Sequence, residues 1–246
     1  MAINLFEGGN VFKDSEGRPV TVRITRDNVV PTLQWLEGLT GLNLVDNMLG
    51  STGRAETSGD LDVGVDSTKV SKDVLIQQLL RKGVNKNDIR KSGDAVHVKT
   101  PILGDPNNGF VQTDFMFTEN PGFQHFSMMG GQANSPYKGV HRNILLASLA
   151  KAQNMKWSPK FGLMDRATNE VISSDPKEIA QKLINGTPND LSSVESIIKK
   201  IKGRPDFERL IADAKETLGR DGVQLPESSP LPGTGAWFRA WQLGDI

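Results

Sequence analysis

The chain has 246 residues, contains no cysteine, and balances 29 lysine and arginine residues against 29 aspartate and glutamate residues. Its length suits one large domain or two small ones with a substantial core, and the lack of cysteine excludes disulfides, thiolate zinc sites and a cysteine nucleophile. The balanced charge argues against strong non-specific DNA binding, which requires neutralisation of phosphates. No apolar run reaches membrane-spanning length and no basic-then-apolar signal opens the sequence, so we expect a cytoplasmic protein without a membrane partner.

The first fifty residues predict a short strand followed by a helix. Apolar and polar residues alternate over residues 20–24, which is typical of a strand. Val29, Leu33 and Leu36 form one apolar stripe at helical spacing, and glycines follow it. We therefore expect a helix over residues 25–37, just before a glycine-rich stretch.

A turn rich in glycine, serine and threonine occupies residues 50–59, with the sequence GSTGRAETSG. Small residues such as Gly50 and Ser51 let the backbone approach a phosphate closely, and successive N–H groups in such a turn form an anion-binding concavity. Arg54 adds a guanidinium that can donate to a phosphate oxygen. Turn formation alone would also explain these residues, but their position before an acidic strand favours phosphate contact.

The strand after this turn carries two aspartates on one face. Leu61, Val63 and Val65 alternate with polar or small residues, so Asp60 and Asp62 share the opposite face. Two such carboxylates lie roughly 6.5 Å apart and repel by roughly 2–3 kcal/mol at an effective dielectric near 20. A divalent cation between them converts the repulsion into ligation, and carboxylate ligands favour Mg²⁺ or Mn²⁺.

A third aspartate, Asp114, lies in the middle of the apolar strand predicted over residues 110–117. An unpaired charge there is costly unless it faces a cleft or a metal. Alternation over residues 95–100 predicts a further strand that pairs with it as a hairpin, with His97 near the cleft as a strand residue rather than a base. Neighbouring strands would then bring the three carboxylates together.

The rest of the chain is predicted to be mainly helical. Helices are predicted over residues 66–81, 138–153 and 175–183. Asp66 would cap the first of these, and residues 157–171 read as short strands and turns. Apolar stripes in residues 191–218 predict a helical hairpin, which a tail rich in proline and aromatic residues follows.

A Gly-Ser turn, an Asp-x-Asp strand and a lone aspartate on a later strand resemble the DNA polymerase beta-like nucleotidyltransferase superfamily. The stretch Gly-Ser…Arg-x-x-x-Ser-Gly-Asp-Leu-Asp-Val at residues 50–63 looks especially like the family X polymerases. Residues 141–150, HRNILLASLA, and the MKWS stretch after them resemble the segment that closes over the nucleotide base in that family. The resemblance covers residues 35–185. The phosphate loop of this chain is one residue shorter than the family X loop and has one arginine, Arg54, where that loop usually has two adjacent arginines.

This resemblance implies an α+β fold. We expect a nucleotidyltransferase palm, a small mixed sheet flanked by helices, at residues 1–130. A smaller α/β fingers- or thumb-like subdomain that closes over the nucleotide is expected at residues 131–186. A helical C-terminal extension, consisting of the hairpin and the tail, would occupy residues 187–246.

The resemblance also implies a two-metal transfer of a nucleoside monophosphate from an NTP or dNTP to an acceptor hydroxyl, with release of pyrophosphate. The residues implied to hold two Mg²⁺ ions, or Mn²⁺, and to act in catalysis are Asp60, Asp62 and Asp114. The residues implied to bind the nucleotide are Gly50, Ser51, Arg54, Arg142 and Asn143. The acceptor would be a nucleic acid, a protein or a small molecule, as for a minimal family X-like polymerase or a terminal transferase. A compact unit of this kind also suits a virus-encoded protein acting in the host cytoplasm.

Two other functions stay open at the level of the sequence. A metal-dependent glycosyltransferase also uses Asp-x-Asp to bind a metal and a nucleoside diphosphate, but it gives no reason for the Gly-Ser turn or for Asp114. A non-catalytic nucleotide-binding or assembly module would use the helical end and the aromatic tail as its working surface.

Overall fold

The computed structural model of the chain describes residues 10–128, 135 and 137–224. The chain divides into two compact units, Met1–His125 and Phe126–Ile246. Within the described ranges it forms seven α-helices and several small β-sheets, which confirms the predicted α+β class. The predicted tail rich in proline and aromatic residues lies outside the described residues.

The described part of the first unit contains six strands and two complete helices. The strands are β1 (Ile24–Thr25), β2 (Thr57–Ser58), β3 (Asp60–Asp66), β4 (Ile89–Ser92), β5 (Ala95–Pro101) and β6 (Phe110–Thr118). The helices are α1 (Arg26–Thr40) and α2 (Lys72–Arg81). A third helix, α3 (Pro121–Ser127), contains the boundary between the two units.

The main sheet has the strand order β3-β6-β5-β4. β3 runs parallel to β6, whereas β5 is antiparallel to both β6 and β4, so the sheet is mixed. In this register Asp62 pairs with Asp114, and Asp114 pairs with His97 on its other side. The predicted pairing of β5 with β6 is therefore confirmed, and the two acidic strands are neighbours as expected.

One face of the main sheet forms the hydrophobic core of the first unit. Leu61, Val63 and Phe115 are fully buried, because alternation directs them away from the face that carries the aspartates. They pack with Leu33 of α1 and Leu79 of α2 in one apolar cluster. Burial of each such side chain stabilises the fold by about 1.5–3 kcal/mol, so the acidic strands are anchored from their other face.

Three local details differ from the prediction. The strand expected at residues 20–24 is reduced to β1, which pairs with the equally short β2. α1 runs further than expected, to Thr40, and Gly41 follows it as the C-cap in the left-handed conformation. Ser71, not Asp66, is the N-cap of α2, because Asp66 accepts hydrogen bonds from Thr68 in the turn before the helix.

The second unit combines a three-stranded antiparallel sheet with four helices in its described part. The strands, in the order β7-β8-β9, are β7 (Met155–Ser158), β8 (Gly162–Asp165) and β9 (Val171–Ser173). The helices are α4 (Gly139–Ala152), α5 (Pro176–Ile184), α6 (Val194–Ile201) and α7 (Phe207–Arg220). The two apolar stripes of residues 191–218 lie in α6 and α7, and α7 packs against α4. Of the helices in the described ranges, none has both the length and the apolar character required to cross a membrane.

Candidate functional site

Three aspartates meet on the polar face of the main sheet. Asp60 and Asp62 are two residues apart on β3, so they emerge on one face, and Asp114 emerges beside them from β6. Asp114 is buried and the other two are partly buried. One carboxylate oxygen from each residue lies within 4.8 Å of the others. Oxygens at this separation can share a hard divalent cation, whereas three like charges without one repel each other.

The electrostatics of this cluster favour a bound proton or a bound cation. Burial, followed by the charges of Asp60 and Asp114, raises the pKa of Asp62 from 3.8 to about 8. Burial and the charge of Asp114 also raise the pKa of Asp60, although Arg23 and His97 act in the opposite direction. A divalent cation would relieve the repulsion that, together with burial, keeps the proton on Asp62. A donor set of three carboxylates suits Mg²⁺ or Mn²⁺.

Asp114 is hydrogen-bonded by two neighbouring side chains. Nδ1 of His97 lies 2.7 Å from Oδ1 of Asp114, and Nε2 of Gln112 donates to the same oxygen at 3.0 Å. Oγ of Ser92 lies 2.8 Å from Nε2 of His97. Oε1 of Gln112 accepts from the backbone N–H of Val11 at 2.9 Å. The Asp114 carboxylate is therefore held by donors on β5 and β6 that have further partners of their own.

The glycine-rich turn lies beside Asp62 because it is hydrogen-bonded to β3. The backbone N–H of Asp62 donates to Oγ1 of Thr52 at 2.9 Å, and the N–H of Leu49 donates to the carbonyl oxygen of Asp62 at 2.9 Å. Met48 also forms an antiparallel bridge with Val63. These contacts place the turn next to the acidic cluster.

The conformation of the turn depends on its glycines. Gly50 and Gly53 have φ angles of +59° and +75°, which glycine adopts without strain. A Cβ at Gly53 would lie 2.8 Å from the sulfur of Met48, which is the end of a flexible side chain and can move. The positive φ angle is therefore the main reason for glycine at this position. Ser51 is exposed, and its carbonyl oxygen accepts from the backbone N–H of Arg54 at 2.9 Å. The side chains of Ser51 and Arg54 therefore both belong to the turn that borders Asp62.

Arg142 and Asn143 have partners within the second unit. Arg142 is buried, donates to three backbone carbonyl oxygens at 2.7–3.1 Å, and has its pKa lowered to about 10 by burial. Oδ1 of Asn143 accepts from Nε1 of Trp157 at 3.1 Å. A phosphate contact would require Arg142 to leave carbonyl groups that would then lack a donor. Both side chains therefore serve the packing of this unit, and their contact with a nucleotide stays a prediction.

Two of the residues around the cluster were not part of the predicted site. Gln112 precedes Asp114 by two residues on the same strand, so alternation alone could have placed both on one face. Thr52 contacts the backbone N–H of Asp62 and not a carboxylate of the cluster. The spacing of residues in the sequence does not reveal this contact. His97 was expected near the cleft, but its pairing with Asp114 depends on the register of β5 and β6.

No protein-family model matches the chain, and no curated protein matches it significantly. The function is therefore argued from the chemistry and the geometry of the site.

Proposed function

We propose that the chain is a metal-dependent nucleotidyltransferase that transfers a nucleoside monophosphate from a nucleoside triphosphate to an acceptor hydroxyl. The observation that carries this proposal is the convergence of Asp60, Asp62 and Asp114 within 4.8 Å, beside a glycine-rich turn bonded to the same strand. The resemblance of these motifs to the DNA polymerase beta-like superfamily, especially the family X polymerases, supports the same reaction. On this proposal the first unit contains the palm.

Mg²⁺ or Mn²⁺ is the ion that the residues of this site fit. The three carboxylates supply hard oxygen ligands, and the raised pKa values of Asp60 and Asp62 reflect burial together with the charges of neighbouring carboxylates. When bound, such ions lower the pKa of an acceptor hydroxyl and neutralise charge on the transferred phosphate.

The side chains and the backbone of the turn would bind and orient the triphosphate. Backbone N–H groups of the turn and the Ser51 hydroxyl would hold the β and γ phosphates, with Arg54 donating to a phosphate oxygen. The N–H of Thr52 does not take part, because it donates to the carbonyl oxygen of Leu49 at 3.2 Å. Asp114 would orient the acceptor hydroxyl. The hydroxyl oxygen then forms a bond to the α-phosphorus, the bond from that phosphorus to the pyrophosphate oxygen breaks, and the hydroxyl proton is released to water.

The acceptor would be a hydroxyl on a nucleic acid or a protein. A template-dependent polymerase holds a duplex with a strong excess of positive charge, whereas this chain has equal numbers of cationic and anionic side chains. Terminal transfer to RNA or DNA, or nucleotidylation of a protein, requires a smaller contact with the acceptor. The charge balance therefore favours these reactions over copying of a template.

The proposal is tested by incubating the protein with each labelled ribo- or deoxyribonucleoside triphosphate, Mg²⁺ or Mn²⁺, and separate DNA, RNA and protein acceptors. We expect transfer of the label together with release of pyrophosphate. Asp62→Asn should slow the transfer by about 10²–10³-fold, since the amide cannot provide an anionic ligand. Asp66→Asn is the matched control, because Asp66 lies on the same face of β3 but outside the cluster.

Other results would reject the proposal. Release of a nucleoside diphosphate from a sugar nucleotide would identify a glycosyltransferase. Calorimetric binding of Mg²⁺ and triphosphate without turnover on any acceptor would favour the non-catalytic module. Equal transfer rates for Asp62→Asn and the unmodified protein would show that the acidic cluster does not take part in the reaction.

A further inference from the structure

Asp114 receives its two side-chain donors on the same oxygen. Nδ1 of His97 lies 2.7 Å from Oδ1, and Nε2 of Gln112 lies 3.0 Å from it. Among the described residues, the hydrogen-bond donor to Oδ2 is Gln112 alone, at a longer 3.3 Å. We propose that His97 and Gln112 are positioning residues that occupy Oδ1 and leave Oδ2 to face a divalent cation. This inference rests on the metal-dependent function proposed above.

His97 is hydrogen-bonded through both ring nitrogens. Because a carboxylate that binds a metal is ionised and only accepts, Nδ1 provides the hydrogen shared with Asp114. Nε2 lies 2.8 Å from the hydroxyl of Ser92, which can donate or accept. The β4–β5 hairpin, in which Ser92 pairs with Ala95, brings both side chains to this position. The imidazole is therefore fixed at both nitrogens.

Gln112 is oriented in the same way from the other side. Its side chain lies in the interior, with the residue 1% exposed, so its amide does not exchange partners with bulk water. Oε1 accepts from the backbone N–H of Val11, which leaves the amide nitrogen to face Asp114. Both donors to Asp114 thus have a single orientation that is set by their remaining hydrogen bonds.

These contacts counteract the repulsion within the acidic cluster. Asp60 and Asp62 repel Asp114, and rotation about its side-chain torsions would carry the carboxylate away from them. The two donors on Oδ1 hold it in place before an ion binds, so the ion does not have to reorganise this ligand. Hydrogen-bond partners that orient metal ligands in this way typically change metal affinity or activity by about 10–100-fold.

The test compares two substitutions of His97 that differ in where the amide nitrogen lies. In asparagine the amide nitrogen follows Cγ directly, as Nδ1 does in histidine, whereas in glutamine it lies one atom further out, as Nε2 does. His97→Asn therefore keeps a donor to Asp114, and His97→Gln removes it. We expect His97→Gln to weaken Mn²⁺ binding to the full-length metal-free protein by about 10–100-fold, and His97→Asn to restore affinity to within about threefold. Binding is measured by titration calorimetry.

Two further variants separate positioning from general damage. His125→Gln changes an exposed histidine outside the cluster and should bind Mn²⁺ as the unmodified protein does. Ser92→Ala changes an exposed residue, so it should fold, and it removes the hydrogen bond that orients the ring. We expect it to weaken Mn²⁺ binding by about two- to tenfold. Far-UV circular dichroism and thermal melting verify that each variant is folded. If His97→Gln does not fold, the Mn²⁺ affinity of Ser92→Ala tests the positioning role of His97.

Each outcome of this experiment discriminates. Failure of the unmodified protein to bind Mn²⁺ would overturn the proposed function, and the positioning role with it. Normal Mn²⁺ affinity in the folded His97→Gln or Ser92→Ala variants would overturn the positioning role alone. Equal weakening by His97→Asn and His97→Gln would also overturn it, because the position of the donor would then have no effect.

Discussion

Asp62 and Asp66 show how strongly the surroundings of one residue control its charge. Both lie on the same face of β3, four residues apart. Burial and two neighbouring carboxylates raise the pKa of Asp62 to about 8, whereas hydrogen bonds from Thr68 lower the pKa of Asp66. The raised pKa values are therefore confined to the place where β3 and β6 bring the three carboxylates together. We expect the repulsion among them to lower the stability of the metal-free protein.

In the metal-free protein we expect the free energy of unfolding to fall as pH rises from about 4 to about 8. The folded protein keeps the Asp62 proton up to about pH 8, whereas the unfolded chain releases it near its ordinary pKa of 3.8. The stability linked to this proton is thus fully present below the unfolded pKa and is lost as pH rises through the folded pKa. Mg²⁺ competes with the same proton, so the stabilisation by Mg²⁺ should grow over this window. Melting temperatures across the window, with a chelator and with Mg²⁺, check both trends.

Asp62→Asn serves as the diagnostic variant for this pH dependence. It should raise the stability of the metal-free protein by about 1–3 kcal/mol near pH 8, because it removes the repulsion from two neighbouring carboxylates. It should also flatten the pH dependence and abolish the effect of Mg²⁺. Asp66→Asn, whose amide oxygen can still accept from Thr68 and which lies outside the cluster, should give no such gain. A metal-free Asp62→Asn protein that melts below the unmodified protein near pH 8 would contradict this account.

At the scale of elements, the glycine-rich turn and β3 behave as one piece because hydrogen bonds join them. The N–H of Asp62 donates to the buried side chain of Thr52, so the same residue supplies a carboxylate to the cluster and an anchor to the turn. A change in the turn is therefore transmitted to the place where a triphosphate would meet the acidic cluster.

Thr52→Ala removes the acceptor for the Asp62 N–H and should destabilise the protein by about 1–3 kcal/mol. Because the turn would no longer be fixed beside β3, we expect triphosphate affinity to fall by about tenfold. Thr52→Ser keeps the hydroxyl and should retain near-normal affinity. Denaturant unfolding and calorimetry with a non-hydrolysable triphosphate analogue measure the two effects. Unchanged affinity in Thr52→Ala would show that the turn is positioned independently of this bond.

Across the whole chain, local patterns predicted the features that depend on nearby residues. Alternation in β3 and β6 directs the three aspartates to one face, and the pairing of these strands confirms it. The bond between His97 and Asp114 depends on a register between strands separated by a long connection, for which residue spacing carries no signal. Arg142 was implied as a nucleotide ligand by its place in the stretch that resembles the nucleotide-closing segment. Its carbonyl partners lie 15–49 residues away in the chain, so residue spacing does not reveal them.

The parallel pairing of β3 with β6 also has a consequence for the order of folding. It joins positions about fifty residues apart, and α2, β4 and β5 all lie in the intervening chain. Such long-range pairings close slowly, because the entropy of the loop is lost before the contact forms. On the proposed function, an ion that binds only the assembled strands would make few contacts in the folding transition state, so it would slow unfolding rather than speed folding. Newly made chains would then fold at the same rate with or without the metal. Removal of the metal would change only the unfolding rate, which would rise.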